Sequence, residues 1–342
     1  MVERGSRSID LRSGITGAIG NTPLVRLQHA SQVTGCDIFG KAEFMNPGMS
    51  VKDRPARHMI IEAEQRGDLK PGGLIVEGTA GNTGIGLTLV AKARGYRTRI
   101  VMPDTQSREK VDFLKACGAE VMEVPAKPYS NPQQYQHVAR RLAEELESQE
   151  EHGVLFADQW NNLDNRAAHF ATTGPEIWQQ TSGRVDGFIC AVGTGGTLAG
   201  VSTFLQSKNP NISIGCADPC GAAMASFFSH GKAEPSSGGS IAEGVGLGRS
   251  TVIVEGLSVD VAWTIPDEEF MPVLFDLVSH EGLLLGASAG LNVAGAIRLA
   301  RRLGPGHTIV TILCDSGARY QSKLYNIEFL KQKKLPIPGW LS

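Results

Sequence analysis

LIVEGTAGNTGIGLTLVAKARGYRTRIVMP, residues 74–103, is the stretch on which the fold turns. Residues 74–77 form a short apolar run that ends in a Gly-rich turn. From 85 to 94 the spacing becomes helical, with Ile85, Leu89 and Ala93 on one face. A second strand is predicted over 99–102, a helix over 107–117 with Ser107 as its cap, and a third strand over 121–124. Strand, helix, strand, helix, strand in that order dictates a parallel sheet with right-handed crossovers. Working outward, residues 125–150 are polar and carry Pro125, Pro128 and Pro132 ahead of a charged helix over 134–148. The alternation then resumes with a strand over 188–192, a helix over 197–206 and a strand over 212–218. Near the end come a helix over 291–303 and a strand over 308–313. No internal repeat or low-complexity block interrupts this order. The pattern predicts an α/β protein built as two open units, and such sheets bind ligands beyond the carboxyl ends of their strands.

The bulk properties exclude several classes. The chain has 342 residues, 41% of them apolar, enough for one large domain or two ordinary ones. Its 41 glycines suit many tight strand-to-helix turns. A net charge of −2 gives no electrostatic reason to expect nucleic acid or an anionic membrane as partner. The basic run at 331–334 reads as a solvated tail. The 6 cysteines lack metal-type spacing and read as reduced, mostly buried thiols. Cys216 and Cys220 are the one candidate redox pair, although Cys216 ends an apolar run and reads as core. The histidines are dispersed, so no metal site is expected. No run reaches the ~18 apolar residues of a membrane helix. Arg4, Arg7 and Arg12 leave a mitochondrial presequence open, but Glu3 and Asp10 dilute the charge and favour a disordered leader.

Four segments carry chemistry. Lys52 sits in Asn46-Pro47-Gly48-Met49-Ser50-Val51-Lys52-Asp53-Arg54. A helix follows, with Pro55 just inside it and Ala56, Met59, Ile60 and Ala63 on its apolar face. Ser50 is expected to cap this helix, with Asp53 completing a box. Lys52 then projects from a rigid helix start, as a Schiff-base lysine requires. The plainer alternative pairs it with Asp53 or another surface acid. The second segment is Thr79-Ala80-Gly81-Asn82-Thr83-Gly84, where glycines and a helix start suit an amino-acid carboxylate. Asn82 can donate to a phenolic oxygen there; otherwise the loop is a plain connection. The third is Gly193-Thr194-Gly195-Gly196-Thr197, a phosphate cradle of backbone N–H groups. It lacks the Walker lysine, and its glycine spacing is not that of a dinucleotide loop. The fourth, Gly286-Ala287-Ser288-Ala289-Gly290, offers a serine hydroxyl to a pyridine nitrogen, or else a cap for the helix over 291–303. Lysine, carboxylate loop, phosphate loop and serine together spell a pyridoxal phosphate site tuned for elimination and replacement at a β-carbon.

With these motifs the chain resembles the cysteine synthases, the O-acetylserine sulfhydrylases, over roughly residues 15–320. Cystathionine β-synthase is a close relative. Gly20-Asn21-Thr22-Pro23-Leu24-Val25 and Thr173-Gly174-Pro175-Glu176-Ile177-Trp178 add to the likeness. The resemblance implies a fold-type II, tryptophan synthase β-like architecture of two open twisted, mostly parallel sheets flanked by helices. It implies a larger phosphate-binding domain, 1–48 with 157–342, and a smaller mobile substrate-side domain, 49–156. It makes Lys52 the Schiff-base lysine and α-proton base. Asn82 falls at the cofactor 3′-oxygen, Gly193, Thr194, Gly195, Gly196 and Thr197 at its phosphate, and Ser288 at its ring nitrogen. Thr79, Ala80, Gly81, Thr83, Gln159 and Gly244 fall at substrate positions. Ala80 replaces a serine usual in this family, and Ala289 replaces a second serine found in many cysteine synthases. The activity implied is cysteine synthesis from O-acetyl-L-serine and sulfide through an aminoacrylate. Cysteine desulfhydrase and a serine-using cystathionine synthase are the alternatives. A homodimer, a cytoplasmic location and docking of the serine acetyltransferase C-terminal peptide are further expectations. A chain kept only as a regulatory binder would be expected to have lost its lysine.

Overall fold

The structure, a computed structural model, describes residues 12–79, 81–106 and 108–341. The basic leader, Ala80 and the expected cap Ser107 lie outside the described residues. The strands, in chain order, are β1 Leu24–Arg26, β2 Asp37–Ala42, β3 Leu74–Gly78, β4 Arg97–Pro103, β5 Glu120–Val124, β6 Val154–Phe156, β7 Gly187–Cys190, β8 Ser213–Pro219, β9 Val261–Ile265 and β10 Thr308–Leu313. They form two sheets, β5-β4-β3-β6 and β1-β2-β10-β7-β8-β9. Every pairing is parallel except β1 with β2. Two mostly parallel sheets flanked by helices is the architecture expected.

Both faces of each sheet are covered, which explains the unbroken apolar runs. In the larger sheet Ile189 and Ile309 point to one core, together with Ala289, Val293 and Leu299 of the Ala287–Leu303 helix. Their neighbours Phe188, Cys190, Val310 and Ile312 point to the other, together with Leu198, Val201 and Leu205 of the Gly196–Lys208 helix. In the smaller sheet β3 is buried at all five positions. The edge strand β5 instead exposes Glu120, Met122 and Glu123, a charged edge that resists pairing with another chain.

Several expectations shift. The Asn82–Arg94 helix starts earlier than 85. Its Ile85, Leu89 and Ala93 stripe is not its main seam, because Ala93 is exposed. Leu87, Val90 and Ala91 pack instead into the core that holds Ala56, Met59, Ile60 and Ala63. The Ser50 capping box does not form. The helix is Asp53–Arg66, Lys52 occupies the cap position without a side-chain capping bond, and the Asp53 carboxylate accepts from Gly48 N–H. Strands β1, β2, β6 and β9 escaped the sequence reading. Two of them have three residues, and β2 contains Lys41, a charged residue buried completely. All six cysteines are free, so Cys216 and Cys220 form no disulfide. Among the described residues no helix is long and apolar enough to cross a membrane.

Candidate active site

The segment carrying Lys52 is fixed by a buried charge cluster. Arg54 Nε donates to Glu43 Oε2 at 2.6 Å, and its Nη1 donates to Glu176 Oε1 at 2.7 Å. Its Nη2 reaches Thr22 Oγ1 at 3.1 Å, and Lys41 Nζ lies 2.7 Å from Glu176 Oε2. Two cations and two anions close the cluster, so no buried charge stands unpaired. This gives a physical reason for the Gly20–Val25 and Thr173–Trp178 motifs: they hold the lysine's helix against the larger sheet. Gly86 brings the next helix in close, since a Cβ there would lie 3.1 Å from Lys52 O.

The Lys52 backbone N–H donates to Ser50 Oγ at 3.3 Å. Its ammonium has no ion pair or hydrogen bond among the described residues. The surface-pair alternative therefore fails: Asp53 faces Gly48, buried, with its carboxyl pushed up to about 7 by desolvation. Lys52 faces a cavity of about 520 Å³ between the carboxyl ends of the two sheets. Thr79, Gly81, Asn82, Thr83, Gln159, Gly193, Thr194, Gly244 and Ser288 line the same cavity. Gly195 and Thr197 line a recess adjoining it, while Gly196 backs onto Asn165, 2.1 Å from where its Cβ would be.

The glycine loop is an anion nest. Gly195 has φ +96°, and a Cβ on Gly193 would sit 2.3 Å from Gly244 O. Thr194 Oγ1 accepts from Asn165 Nδ2 at 2.9 Å. The N–H groups of Gly193, Thr194 and Gly195 have no acceptor among the described residues. They precede the Gly196–Lys208 helix, so its dipole adds to them. Behind the loop, buried His169 touches Thr197 Oγ1 at 3.2 Å and Thr173 Oγ1 at 2.8 Å. Desolvation keeps its pKa well below the ordinary value, so it is a neutral imidazole.

On the opposite wall Thr83 Oγ1 donates to Gln159 Oε1 at 2.6 Å, and Gln159 Nε2 donates to Glu77 Oε1 at 2.8 Å. Glu77 is fully buried, and desolvation raises its carboxyl to about 8. Asn82 is held on both sides: Nδ2 donates to Asp315 Oδ2 at 2.7 Å, and Oδ1 accepts from Arg319 Nη1 at 2.7 Å. Ser288 is the second residue of its helix, whose cap is Gly286, so the capping alternative for it fails. Its hydroxyl lies against Cys314, whose thiol burial pushes up to about 11.

Sequence reasoning missed Glu77, Asn165, Asp315, Arg319 and Tyr320. It also missed the Lys110–Glu243–Lys323 bridge across the cavity wall and Arg249. The Arg249 guanidinium lies 4.2 Å over the Tyr129 ring, and its buried Nη2 has no hydrogen-bond partner among the described residues. The signal for Asp315 was available: the first charged residue past the apolar β10, just after Cys314.

The donor set fits pyridoxal phosphate. An unpaired lysine, three vacant N–H groups at a helix start and a buried serine hydroxyl face one cavity of suitable size. Comparison with known proteins agrees. The model of the pyridoxal-phosphate dependent enzyme family matches residues 15–315. "Cysteine synthase 1" of Neurospora crassa is 49% identical over 96% of this chain and 88% of that protein. "Cysteine synthase 1" of Emericella nidulans is 47% identical over 97% and 90%. The crystal structure of an O-ureido-L-serine synthase superposes with a TM-score of 0.82 at 33% identity, covering 92% of this chain and 95% of that one. The chain belongs to the pyridoxal-phosphate-dependent enzymes of the cysteine synthase and cystathionine β-synthase group.

Proposed function

We propose that this enzyme makes L-cysteine from O-acetyl-L-serine and sulfide, replacing acetate at the β-carbon. The observation that carries the reading is the unpaired Lys52 ammonium, set between an anion nest and a helix start in one cavity. The names of the most similar relatives support the same reaction.

Bound pyridoxal phosphate supplies an electron sink that acidifies the substrate's α-hydrogen and lets its β-substituent leave. The Gly193–Thr197 loop would hold the phosphate, and Ser288 would meet the ring nitrogen. Lys52 Nζ would hold the cofactor and, once released, would take the proton from the substrate α-carbon and return it later. Gln159 cannot swing, because Thr83 and Glu77 engage both ends of its amide. It and the first N–H groups of the Asn82–Arg94 helix would receive the substrate carboxylate. Glu77, protonated below about pH 8, adds no repelling charge behind that carboxylate.

Steady-state rates with O-acetylserine plus sulfide, and with cysteine alone, decide between synthesis and desulfhydration. The reading expects kcat/KM to favour synthesis. A larger value for cysteine breakdown would assign the chain to sulfide release instead. The same proposal includes a homodimer in the cytoplasm and closure of the segment 49–156 over the substrate. Docking of an acetyltransferase C-terminal peptide belongs to it too. Sedimentation tests the first; a peptide titration read by cofactor fluorescence tests the last.

A further inference from the structure

We propose that Asp315 and Arg319 are positioning residues that aim Asn82 at the cofactor ring. The inference rests on the cofactor reading above. It starts from the Asn82 amide, which is satisfied in one orientation only. Nδ2 donates to the Asp315 carboxylate at 2.7 Å, and Oδ1 accepts from the Arg319 guanidinium at 2.7 Å. Turning the amide over would set donor against donor and oxygen against carboxylate. With Oδ1 and one hydrogen of Nδ2 engaged, the second hydrogen of Nδ2 is the remaining polar group. Asn82 lines the cavity beside Lys52, so that hydrogen is available to an oxygen on the bound ring.

The clamp is itself held in place. Asp315 Oδ2 also accepts from Tyr320 OH at 2.5 Å. Arg319 Nη2 donates to Gly48 O at 2.6 Å, in the segment that leads to Lys52. The backbone of Asp315 accepts from Gly286 N at 3.1 Å, in the segment that leads to Ser288. A Cβ on Gly286 would stand 2.2 Å from Asp315 Oδ1, so glycine leaves room for the carboxylate. Asp315 and Arg319 are 2% and 6% exposed; water does not compete for these bonds. One acid and one base thus join three of the four cofactor-binding segments: those of Lys52, Asn82 and Ser288. They tie the substrate-side helix start to the end of β10 in the larger sheet.

The test compares the visible absorption of the holoenzyme, its pH titration and kcat in Asp315→Asn, Arg319→Met, Arg319→Lys and Asn82→Ala. Positioning predicts that Asp315→Asn and Arg319→Met retain cofactor, because the phosphate nest is untouched. Both should shift the visible band in the same direction as Asn82→Ala and lower kcat by about ten- to a hundredfold. Arg319→Lys, which keeps a donor, should recover part of each change. The double variant Asn82→Ala/Arg319→Met should be no worse than Asn82→Ala alone. Wild-type spectra and titrations in the Asp315 and Arg319 variants, or additive losses in the double variant, would make the pair structural and overturn the proposal. Should Asp315→Asn not fold, Tyr320→Phe removes one bond to the same carboxylate; a smaller band shift in the same direction supports positioning, and no shift opposes it. A wild-type protein without visible absorption would overturn the cofactor reading itself, a different result from a normal wild type with unchanged variants.

Discussion

Individual residues in this cavity are set by burial more than by charge pairs. Lys52 stands free while the acid beside it, Asp53, binds a backbone N–H on the far side of the loop. Glu77 shows the cost of such placement. Its carboxyl ordinarily titrates near 4.5 and is raised to about 8 by desolvation, so the folded protein holds a proton that the unfolded chain has lost. The stabilisation from that proton is complete at low pH and drains away as pH rises from 4.5 through about 8. Glu77→Gln keeps the Gln159 bond and removes the titration. Unfolding midpoints measured from pH 5 to 9 should therefore fall less steeply in the variant than in the wild type; parallel curves would show that Glu77 ionises elsewhere. At the nest, Gly193→Ala sets a methyl 2.3 Å from Gly244 O. Equilibrium dialysis should show cofactor affinity reduced by at least about tenfold, since the loop must open to make room.

At the scale of elements, the Asp53–Arg66 helix matters most, because Lys52 caps it and Arg54 anchors its first turn. Arg54 is 3% exposed among Glu43 and Glu176. Arg54→Ala leaves both acids without their guanidinium and should cost about 3–5 kcal/mol by denaturant unfolding; a loss below about 1 kcal/mol would show that water relieves them. The helix's apolar stripe was legible in the sequence, since four residues at helical spacing permit few other readings. So were the strands with unbroken apolar runs, and the three glycine loops that follow or precede them. Short or charged strands were not. β2 hides behind Lys41, whose burial depends on Glu176, 135 positions away. The long-range partners of the site were illegible for the same reason. Asn82 is 233 residues from Asp315 and 237 from Arg319, and no local pattern encodes such a meeting. The capping box failed because Asp53 had a better donor in Gly48 than in its own helix start.

The whole molecule is two sheets sharing one cavity, and polar contacts cross between them beside the buried Val51. Glu243 lies between Lys110 and Lys323, and Lys110 Nζ stands 4.9 Å over the Tyr320 ring. The cofactor would add contacts to both walls, so it should stabilise the assembly by mass action. Stripping it with hydroxylamine should lower the melting temperature, and adding it back should restore the value; an unchanged midpoint would mean that the ligand does not bridge the sheets. The central claim is that Lys52 in this cavity carries the cofactor. Borohydride reduction of the purified enzyme, followed by peptide mass mapping, tests it most directly. The account predicts the cofactor's mass on the peptide containing Lys52 and nowhere else; a label on another lysine, or none on an active enzyme, would contradict it.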